Sequence, residues 1–207
     1  MGQSQIWRNK DALVLASTSV TRLKLLQDIM LPVEAVGAHV DERAIEEGLQ
    51  AKGEHPAQIA LALADAKARD VATRYKNRWI VAADQTLALG REQFHKPETV
   101  EKAGGHLKKL RGQTHQLHSA IVCYFGEERR MGHVETAHLT MRDFSDQFLS
   151  AYLEAAGSRV TQSVGAYQIE GLGIHLFEKV EGDHSTILGL PLQPLLAFMR
   201  QAGLVEA

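Results

Sequence analysis

The sequence of 207 residues has one cysteine, no long apolar run and almost no net charge. A single cysteine excludes an intramolecular disulfide, which suits a reducing compartment. No apolar run approaches the roughly 20 residues that span a bilayer, and the opening residues, MGQSQIWRNKD, lack an apolar signal core. A formal net charge of −2 argues against nucleic-acid binding, which normally requires a basic surface. We therefore expect a cytoplasmic protein with neither a nucleic-acid nor a membrane partner.

The composition that is present is typical of a folded domain, with 44% hydrophobic and 23% charged residues. Helical and extended patterns alternate along the chain, which predicts an α/β fold. One hairpin-like pair of strands accompanies several helix-connected strands, so we expect a mixed central sheet flanked by helices. No linker, low-complexity segment or repeat interrupts the pattern. The predicted organisation is an N-terminal tail over residues 1–10 and a single domain over residues 11–207.

The local patterns predict the individual elements. Short apolar or alternating runs predict strands at residues 12–16, 79–83, 114–125 and 132–143. Periodic stripes with caps predict helices from Ser19 towards Pro32, over 55–75, 98–110 and 145–156, and from Pro191 to near Gly203. The segment 165–181 is predicted to alternate glycine turns with extended residues. Cys123 lies in an apolar run and is expected to be a buried thiol, not a nucleophile.

The junction between the first predicted strand and helix combines hydroxyls with a cation. Ser17, Thr18 and Ser19 precede the helix, and Arg22 lies in its first turn. A helix N-terminus presents unpaired N–H groups and a partial positive charge, so this junction can bind phosphate. The alternative interpretation is that Ser19 only caps the helix and Arg22 is a solvated surface residue.

Two further positions carry charge where a ligand is expected. Asp84 follows the predicted strand 79–83, and ligands of open α/β sheets gather beyond strand carboxyl ends. A carboxylate there binds a cation, handles a proton, or simply caps a turn. Lys96 precedes Pro97, which forces it into a loop at a helix N-terminus, where it either neutralises phosphate or is a solvated lysine.

Other motifs do not support alternative chemistries. The glycine-rich segment Gly165–Gly173 implies a tightly bending backbone, but an extended run follows it, so it is not a dinucleotide fingerprint. His115 and His118 are three residues apart on a predicted strand and therefore face opposite sides, which excludes a shared zinc. Ser163 and Ser185 lack the context of a serine hydrolase nucleophile.

Eight short segments with chemically distinctive residues lie along nearly the whole chain, from about Leu13 to Leu204. They are Leu15–Ser19 with Arg22, Val40–Glu42, Ala64–Ala68, Ala83–Gln85, Lys96–Pro97, Leu110–His115, Gly165–Tyr167 with Glu170–Gly171, and Gly189–Leu192. Each segment is common alone, whereas their ordered occurrence is not. Taken together and in order, these matching segments resemble the Maf family of septum formation inhibitors, also described as nucleotide pyrophosphatases.

The resemblance implies a Maf/ITPase-like fold with a cleft for a nucleotide, and it implies roles for several of the matching residues. Asp84 would activate water, with Lys67 and Lys96 completing the catalytic set. Ser17 and Arg22 would bind the triphosphate together with the two lysines. Glu42 and Asp84 would hold a divalent cation, Mg²⁺ or Mn²⁺, for which oxygen ligands are suited. The implied products are a nucleoside monophosphate and pyrophosphate, and the implied assembly is a homodimer.

Departures from the usual family pattern bear on the substrate. Val20 and Thr21 stand where members often carry Pro and Arg, and Gln85 and Glu170 replace the more usual Thr and Gln. The pair Gln85 and Glu170 resembles the branch that prefers 7-methyl-GTP. Thr21, Gln85 and Glu170 are therefore expected to contact the nucleotide, with Gln85 donating to O6 of the base and Glu170 accepting from N1–H and the N2 amine.

Three functions remain to be separated. The leading one is hydrolysis of modified nucleoside triphosphates before they enter nucleic acids. A second is non-catalytic nucleotide binding by a regulator of septation, which would not require a base and a metal carboxylate together. A third, a generic α/β domain, leaves the order of the segments unexplained.

Overall fold

The structure is a computed structural model that describes residues 6–206. The strands are β1 (Leu13–Leu15), β2 (Val33–Ala35), β3 (Trp79–Leu89), β4 (Glu92–Phe94), β5 (Thr114–Phe125), β6 (Glu128–Met141) and β7 (Phe177–Glu181). The helices are α1 (Val20–Asp28), α2 (Glu42–Gln50), α3 (Pro56–Arg74), α4 (Val100–Leu110), α5 (Asp146–Ala156), α6 (His184–Ile187) and α7 (Leu192–Gln201). Two 3-10 helices, Gly157–Thr161 and Leu172–Leu176, complete the set.

The strands form one mixed sheet in the order β2-β1-β3-β5-β6-β7, with β4 paired to β3. β1 is parallel to both β2 and β3. The pairs β3–β4 and β6–β7 are antiparallel. The expected α/β fold with a mixed central sheet flanked by helices is confirmed. None of the helices within residues 6–206 combines the length and apolar character needed to cross a membrane.

The backbone contacts divide the chain into two compact units. The described part of the first unit comprises residues 6–85, 119–135 and 183–206. The second comprises residues 86–118 and 136–182. The division into a tail over 1–10 and one domain over 11–207 stays a prediction.

The described end of the predicted tail packs in the first unit. Residues 1–5 lie outside the described residues. Trp7 is buried, forms a bridge with Val205, and donates its indole N–H to the carbonyl of Asp11 at 3.0 Å. Residues around Trp7 thus contribute to the core of the first unit.

The core of the first unit lies on both faces of its strands, because β3 alternates. Val81 and Ala83 pack with α1, α7 and the odd-numbered residues of β1. Ile80 and Ala82 pack with an alanine-rich face of α3. Since successive residues of a strand point to opposite faces, residue 84 falls on the α3 side and residue 85 on the opposite side.

Several predicted elements match closely. The predicted strand 114–125 coincides with β5, and α3 follows the predicted helix with Pro56 in its first turn. Ser145 caps α5, accepting a hydrogen bond from Phe148 N–H. Cys123 is buried as predicted, and burial raises its pKa to about 12, so it stays a thiol.

Other predictions require correction. The strand predicted at 79–83 continues to Leu89, because apolar residues after Asp84 are also buried. Part of the extended run predicted at 174–177 is a 3-10 helix, and the extended backbone begins at Phe177. The sequence analysis missed α2, although Asp41 caps it and Ile45 and Leu49 form a partly buried apolar pair one turn apart.

Gly104 and Gly105, two adjacent glycines inside α4, have different environments. A Cβ at Gly104 would lie 3.0 Å from Cδ1 of Leu153 on α5, so glycine permits these helices to approach. Gly105 has open space around it, and nothing in the structure explains it.

Candidate active site

The junction between β1 and α1 is a capped helix N-terminus. Ser19 accepts a hydrogen bond from the backbone N–H of Arg22 at 3.3 Å. Its own N–H donates to Oγ of Ser17 at 3.2 Å. Ser17 is buried, whereas Thr21 is partly exposed in the first turn. The capping role of Ser19 is therefore correct, and it occupies only one N–H group of the first turn, so this helix N-terminus can still bind an anion.

Arg22 is not a solvated surface residue. Its Nε donates to the carbonyl of Gly189 and its Nη1 to the carbonyl of Ala83, both at 2.8 Å. Burial lowers the pKa of Arg22, while the charges of Asp84 and Glu42 oppose this shift. Two of the five guanidinium N–H donors are thus used for positioning, and within residues 6–206 no hydrogen bond engages the other three, which can bind a ligand.

Asp84 lies within β3 and not at its end, which corrects the expected position. The parallel register pairs Leu15, the last residue of β1, with Val81. Asp84 is three residues further along and thus lies beyond the carboxyl end of β1, the neighbouring strand. Ligands of open α/β sheets bind beyond the carboxyl ends of parallel strands, and here the strand that ends at the site is β1, not β3.

Lys67 reaches the same place from α3. The buried residues of this helix include Ala60, Ala64 and Ala68, and Lys67 belongs to the same face. A lysine on a buried face requires a partner for its charge. The partner is provided by Asp84, which points to the α3 side of β3.

The ammonium group of Lys67 lies between two carboxylates. Its Nζ is 2.6 Å from Oδ1 of Asp84 and 2.8 Å from Oε2 of Glu42. The side chains of Lys67 and Asp84 are each 11% exposed, whereas that of Glu42 is 53% exposed. Glu42 is the first residue of α2, behind the capping residue Asp41, where a negative charge is favoured. The resemblance placed these three residues in one site, and the structure brings them together.

Gln85 points to the other face of β3 and is held by several acceptors. Its Nε2 lies 2.8 Å from Oγ of Ser119, and 3.2 and 3.0 Å from the carbonyls of Thr186 and Ile187. Because carbonyls only accept, the amide orientation is fixed with NH₂ towards them. The donor expected for O6 of a base is therefore engaged inside the fold in this structure, and the contact of Gln85 with a base stays a prediction. The three contacts engage Nε2 alone, so the group of Gln85 that can contact a ligand is its amide oxygen, which is an acceptor.

Two of the predicted site residues belong to the second unit. Lys96 is exposed in the loop between β4 and α4, just before the buried Pro97. Glu170 is exposed in the loop before the second 3-10 helix. The alternative to base recognition is that Glu170 pairs with an internal Arg or Lys, and no ion pair involving Glu170 occurs within residues 6–206.

The two histidines of β5 have separate partners. Nε2 of His115 lies 2.7 Å from the hydroxyl of Tyr167, and Nδ1 of His118 lies 2.9 Å from Oγ1 of Thr136. The two histidines therefore make separate hydrogen bonds within the second unit.

Gly189 is a site residue to which the sequence assigned no role. Its φ of +90° is one that side chains rarely adopt, and a Cβ there would lie 3.4 Å from Nη2 of Arg22. Its carbonyl also accepts from Nε of Arg22. The segment Gly189–Leu192 was among the matching motifs, but only the fold shows that it holds Arg22.

The fold and this cluster define an α/β protein with a charged site beyond the end of a parallel strand. Arg22, Glu42, Lys67 and Asp84 form the site, with two positive and two negative side chains. The chain belongs to the Maf family: the family described as Maf-like protein matches residues 12–202.

Relatives in several bacteria cover almost the whole chain. The 7-methyl-GTP pyrophosphatase of Rhizobium meliloti (strain 1021) is 47% identical over 198 residues, 96% of this chain and 100% of that protein. The nucleoside triphosphate pyrophosphatase of Nitrobacter hamburgensis is 47% identical over 203 residues, covering 97% and 98% of the two chains. That of Bradyrhizobium diazoefficiens is 48% identical over 200 residues, with the same coverage. Among solved structures, the Ham1 protein of Staphylococcus aureus aligns with a TM-score of 0.48 and 15% identity, over 93% of this chain and 100% of that one.

Proposed function

We propose that this protein is a nucleoside triphosphate pyrophosphatase, which hydrolyses the bond between the α- and β-phosphates to release a monophosphate and pyrophosphate. The observation that carries the proposal is the position of Lys67 between Asp84 and Glu42, next to the helix N-terminus that follows β1. Relatives at 47–48% identity are named for this activity. Removal of modified nucleotides before their incorporation into nucleic acids would be the consequence.

Each charged group has a part in this proposal. Asp84 is a buried carboxylate whose Oδ1 contacts Lys67, and within residues 6–206 no hydrogen bond occupies its Oδ2. That oxygen can accept a proton from a water molecule and orient it for attack on the α-phosphorus. Arg22 and Lys67 supply fixed positive charge for the developing anion. Ser17, Thr21 and Lys96 remain proposed substrate ligands.

The charge balance supports a divalent cation. Arg22 and Lys67 are already balanced by Glu42 and Asp84, so a bound triphosphate would leave a large negative excess. Within the described residues, no group of three His, Cys, Asp or Glu side chains is placed to hold a metal alone. Two carboxylates together with substrate phosphates are a normal ligand set for Mg²⁺. Glu42 and Asp84 would hold the cation, which when bound neutralises phosphate charge.

The finer proposal is that 7-methyl-GTP is the preferred substrate. A carboxylate accepts from both N1–H and the N2 amine of a guanine base, and N7 methylation adds a positive charge that attracts Glu170. Some relatives are named 7-methyl-GTP pyrophosphatase and others nucleoside triphosphate pyrophosphatase, so the names leave this open. In the described geometry Gln85 would contribute an acceptor, not the O6 donor.

Assays with a panel of nucleotides test both the pyrophosphatase activity and the preference for 7-methyl-GTP. The purified protein should release pyrophosphate, with kcat/KM ranked 7-methyl-GTP above GTP and both above dTTP and UTP, and excess chelator should abolish turnover. Binding without turnover would instead favour the non-catalytic regulator of septation. Preference for dTTP would refute the specificity but leave the pyrophosphatase proposal standing.

Glu170→Gln tests the base contact itself. The variant should lower kcat/KM for 7-methyl-GTP by ~1–3 kcal/mol of transition-state binding, as a lost charged hydrogen bond does. The effect on UTP should be smaller. Glu154 is an exposed glutamate of α5, and Glu154→Gln is the matched control, which should leave kcat/KM for both substrates unchanged. Equal slowing of every nucleotide by Glu170→Gln would contradict the assignment.

A homodimer remains part of the proposal and rests on the resemblance, whereas the proposed cytoplasmic location rests on the composition of the sequence. Light scattering of the purified protein should give twice the mass of the chain. A mass equal to that of one chain would contradict the homodimer.

A further inference from the structure

A network of contacts in the second unit fixes Tyr167, and none of the proposed roles uses it. The Tyr167 hydroxyl lies 2.7 Å from Nε2 of His115, whose side chain is fully buried on β5. The ring of Tyr167 packs edge-on against Phe177, with centroids 4.8 Å apart. Tyr167 is therefore held at both its ring and its hydroxyl.

The backbone around Tyr167 is shaped to accept this ring. A Cβ at Gly165 would lie 2.2 Å from Cε1 of Tyr167, so only glycine fits beneath the ring. Ala166 adopts φ of +58°, and its carbonyl accepts from the hydroxyl of Tyr152 at 3.2 Å. The carbonyl of Tyr167 accepts a short hydrogen bond from Ser163. A non-glycine residue in the left-handed region is held there by these contacts.

The same network leads directly into the turn that carries Glu170. The carbonyl of Gln168 accepts from the N–H groups of both Gly171 and Gly173, each at 3.1 Å. A Cβ at Gly173 would lie 2.5 Å from that carbonyl oxygen, so glycine is required for closure. Glu170 lies inside this closed turn and is exposed to solvent. The carboxylate is thus presented from a turn that two backbone hydrogen bonds close.

Of the two ring nitrogens of His115, one contacts Tyr167 and the other is unpaired within the described residues. Nδ1 of His115 is buried and has no hydrogen-bond partner within residues 6–206. Buried polar atoms are nearly always paired, and an exception calls for an explanation. Burial lowers the pKa of His115 to about 4 and raises that of Tyr167, so both groups are neutral near pH 7.

We propose that His115 and Tyr167 are positioning residues that set the Glu170 carboxylate for selection of the nucleotide base. This rests on the proposed role of Glu170 in recognising the substrate. It gives a role to two matching segments, Leu110–His115 and Gly165–Tyr167, to which the sequence assigned none. The competing interpretation is that the pair only stabilises the fold.

Tyr167→Phe removes one oxygen and is the primary test. The ratio of kcat/KM for 7-methyl-GTP over UTP should fall roughly 3- to 10-fold, the range that one neutral hydrogen bond sets. The loss should appear in KM for 7-methyl-GTP, with kcat on UTP unchanged. In a Glu170→Gln background the same change should have no further effect on the ratio, because the two groups act as one unit.

Two further variants make the result interpretable. His115→Phe removes the same hydrogen bond from the other side and should not add to Tyr167→Phe. Tyr124→Phe is the matched control, because it removes a hydroxyl that contacts Asp65 at 3.0 Å in the first unit. The control should leave the nucleotide ratio unchanged.

Hydrogen exchange of the substrate-free protein supplies a readout that does not depend on activity. Tyr167→Phe should speed exchange at Gly171 and Gly173, with the amides of α4 unchanged. Unchanged exchange there, or equal losses on both nucleotides, overturns the positioning role. If Glu170→Gln leaves the ratio of the wild-type protein unchanged, the proposed recognition by Glu170 is what fails.

Discussion

Lys67, Asp84 and Glu42 depend on one another, because a single ammonium group contacts both carboxylates within hydrogen-bonding distance. Asp84→Asn preserves the shape of the side chain but removes its basicity and its charge. We expect pyrophosphate release to fall by about 10²-fold or more, the loss typical of a missing general base. Steady-state kinetics on the variant, with thermal unfolding as a check of the fold, measures this.

Asp70→Asn is the matched control for Asp84→Asn. Asp70 lies on α3 of the same unit and pairs with Arg74 at 2.7 Å. We expect this variant to retain near-normal turnover. Near-normal turnover of Asp84→Asn itself would remove Asp84 from the mechanism.

The burial of His115 predicts a pH dependence of stability. Its pKa is about 4 in the folded protein and 6.5 when unperturbed. Between these values the unfolded state binds more protons, so stability falls as the pH drops from about 6.5 to about 4. At pH 5 the loss from this group is about 2 kcal/mol relative to pH 7. Urea unfolding at both pH values should show it.

His115→Phe isolates this contribution, because it leaves the other titrating groups in place. The variant should lose about 2 kcal/mol less than the wild type between pH 7 and pH 5. Identical pH dependence of the two proteins would show that His115 does not titrate as its burial requires.

At the scale of elements, the connection between α6 and α7 fixes the guanidinium of Arg22. Gly189→Ala introduces backbone strain at φ of +90° and a Cβ 3.4 Å from Nη2 of Arg22. We expect a loss of about 1–3 kcal/mol in the free energy of unfolding and a raised KM. Denaturant unfolding and kinetics measure the two effects.

Gly203→Ala is the control that separates the effect of backbone strain from the effect of the contact with Arg22. Gly203 also has positive φ, +68°, but a Cβ there has open space. It should cost stability and leave KM unchanged. If both alanine variants raise KM equally, the contact between Gly189 and Arg22 has no part in substrate binding.

The elements that the sequence predicted best are those with a buried stripe or a cap. α3 and β5 carry dense apolar patterns, and Ser19 and Ser145 cap helices where their hydroxyls indicate. α2 was missed, because its only partly buried apolar pair, Ile45 and Leu49, spans a single turn among charged residues. Its first residue nevertheless supplies a carboxylate to the site.

At the scale of the whole molecule, the ordered motifs predicted which residues belong to the site, but not how they contact one another. Lys67 lies 17 residues before Asp84, and only the packing of α3 on β3 makes them partners. The orientation of Gln85 depends on carbonyls about 100 residues away, which no local pattern contains. The parallel register of β1 and β3 likewise places Asp84 beyond β1.

The central claim is that water attacks the α-phosphorus of a nucleoside triphosphate. Turnover of 7-methyl-GTP in heavy-oxygen water, followed by mass spectrometry of both products, tests it directly. We predict a monophosphate that carries one heavy oxygen and pyrophosphate that carries none, with both absent when chelator is in excess. Heavy oxygen in the pyrophosphate, or release of a diphosphate and orthophosphate, would contradict the account.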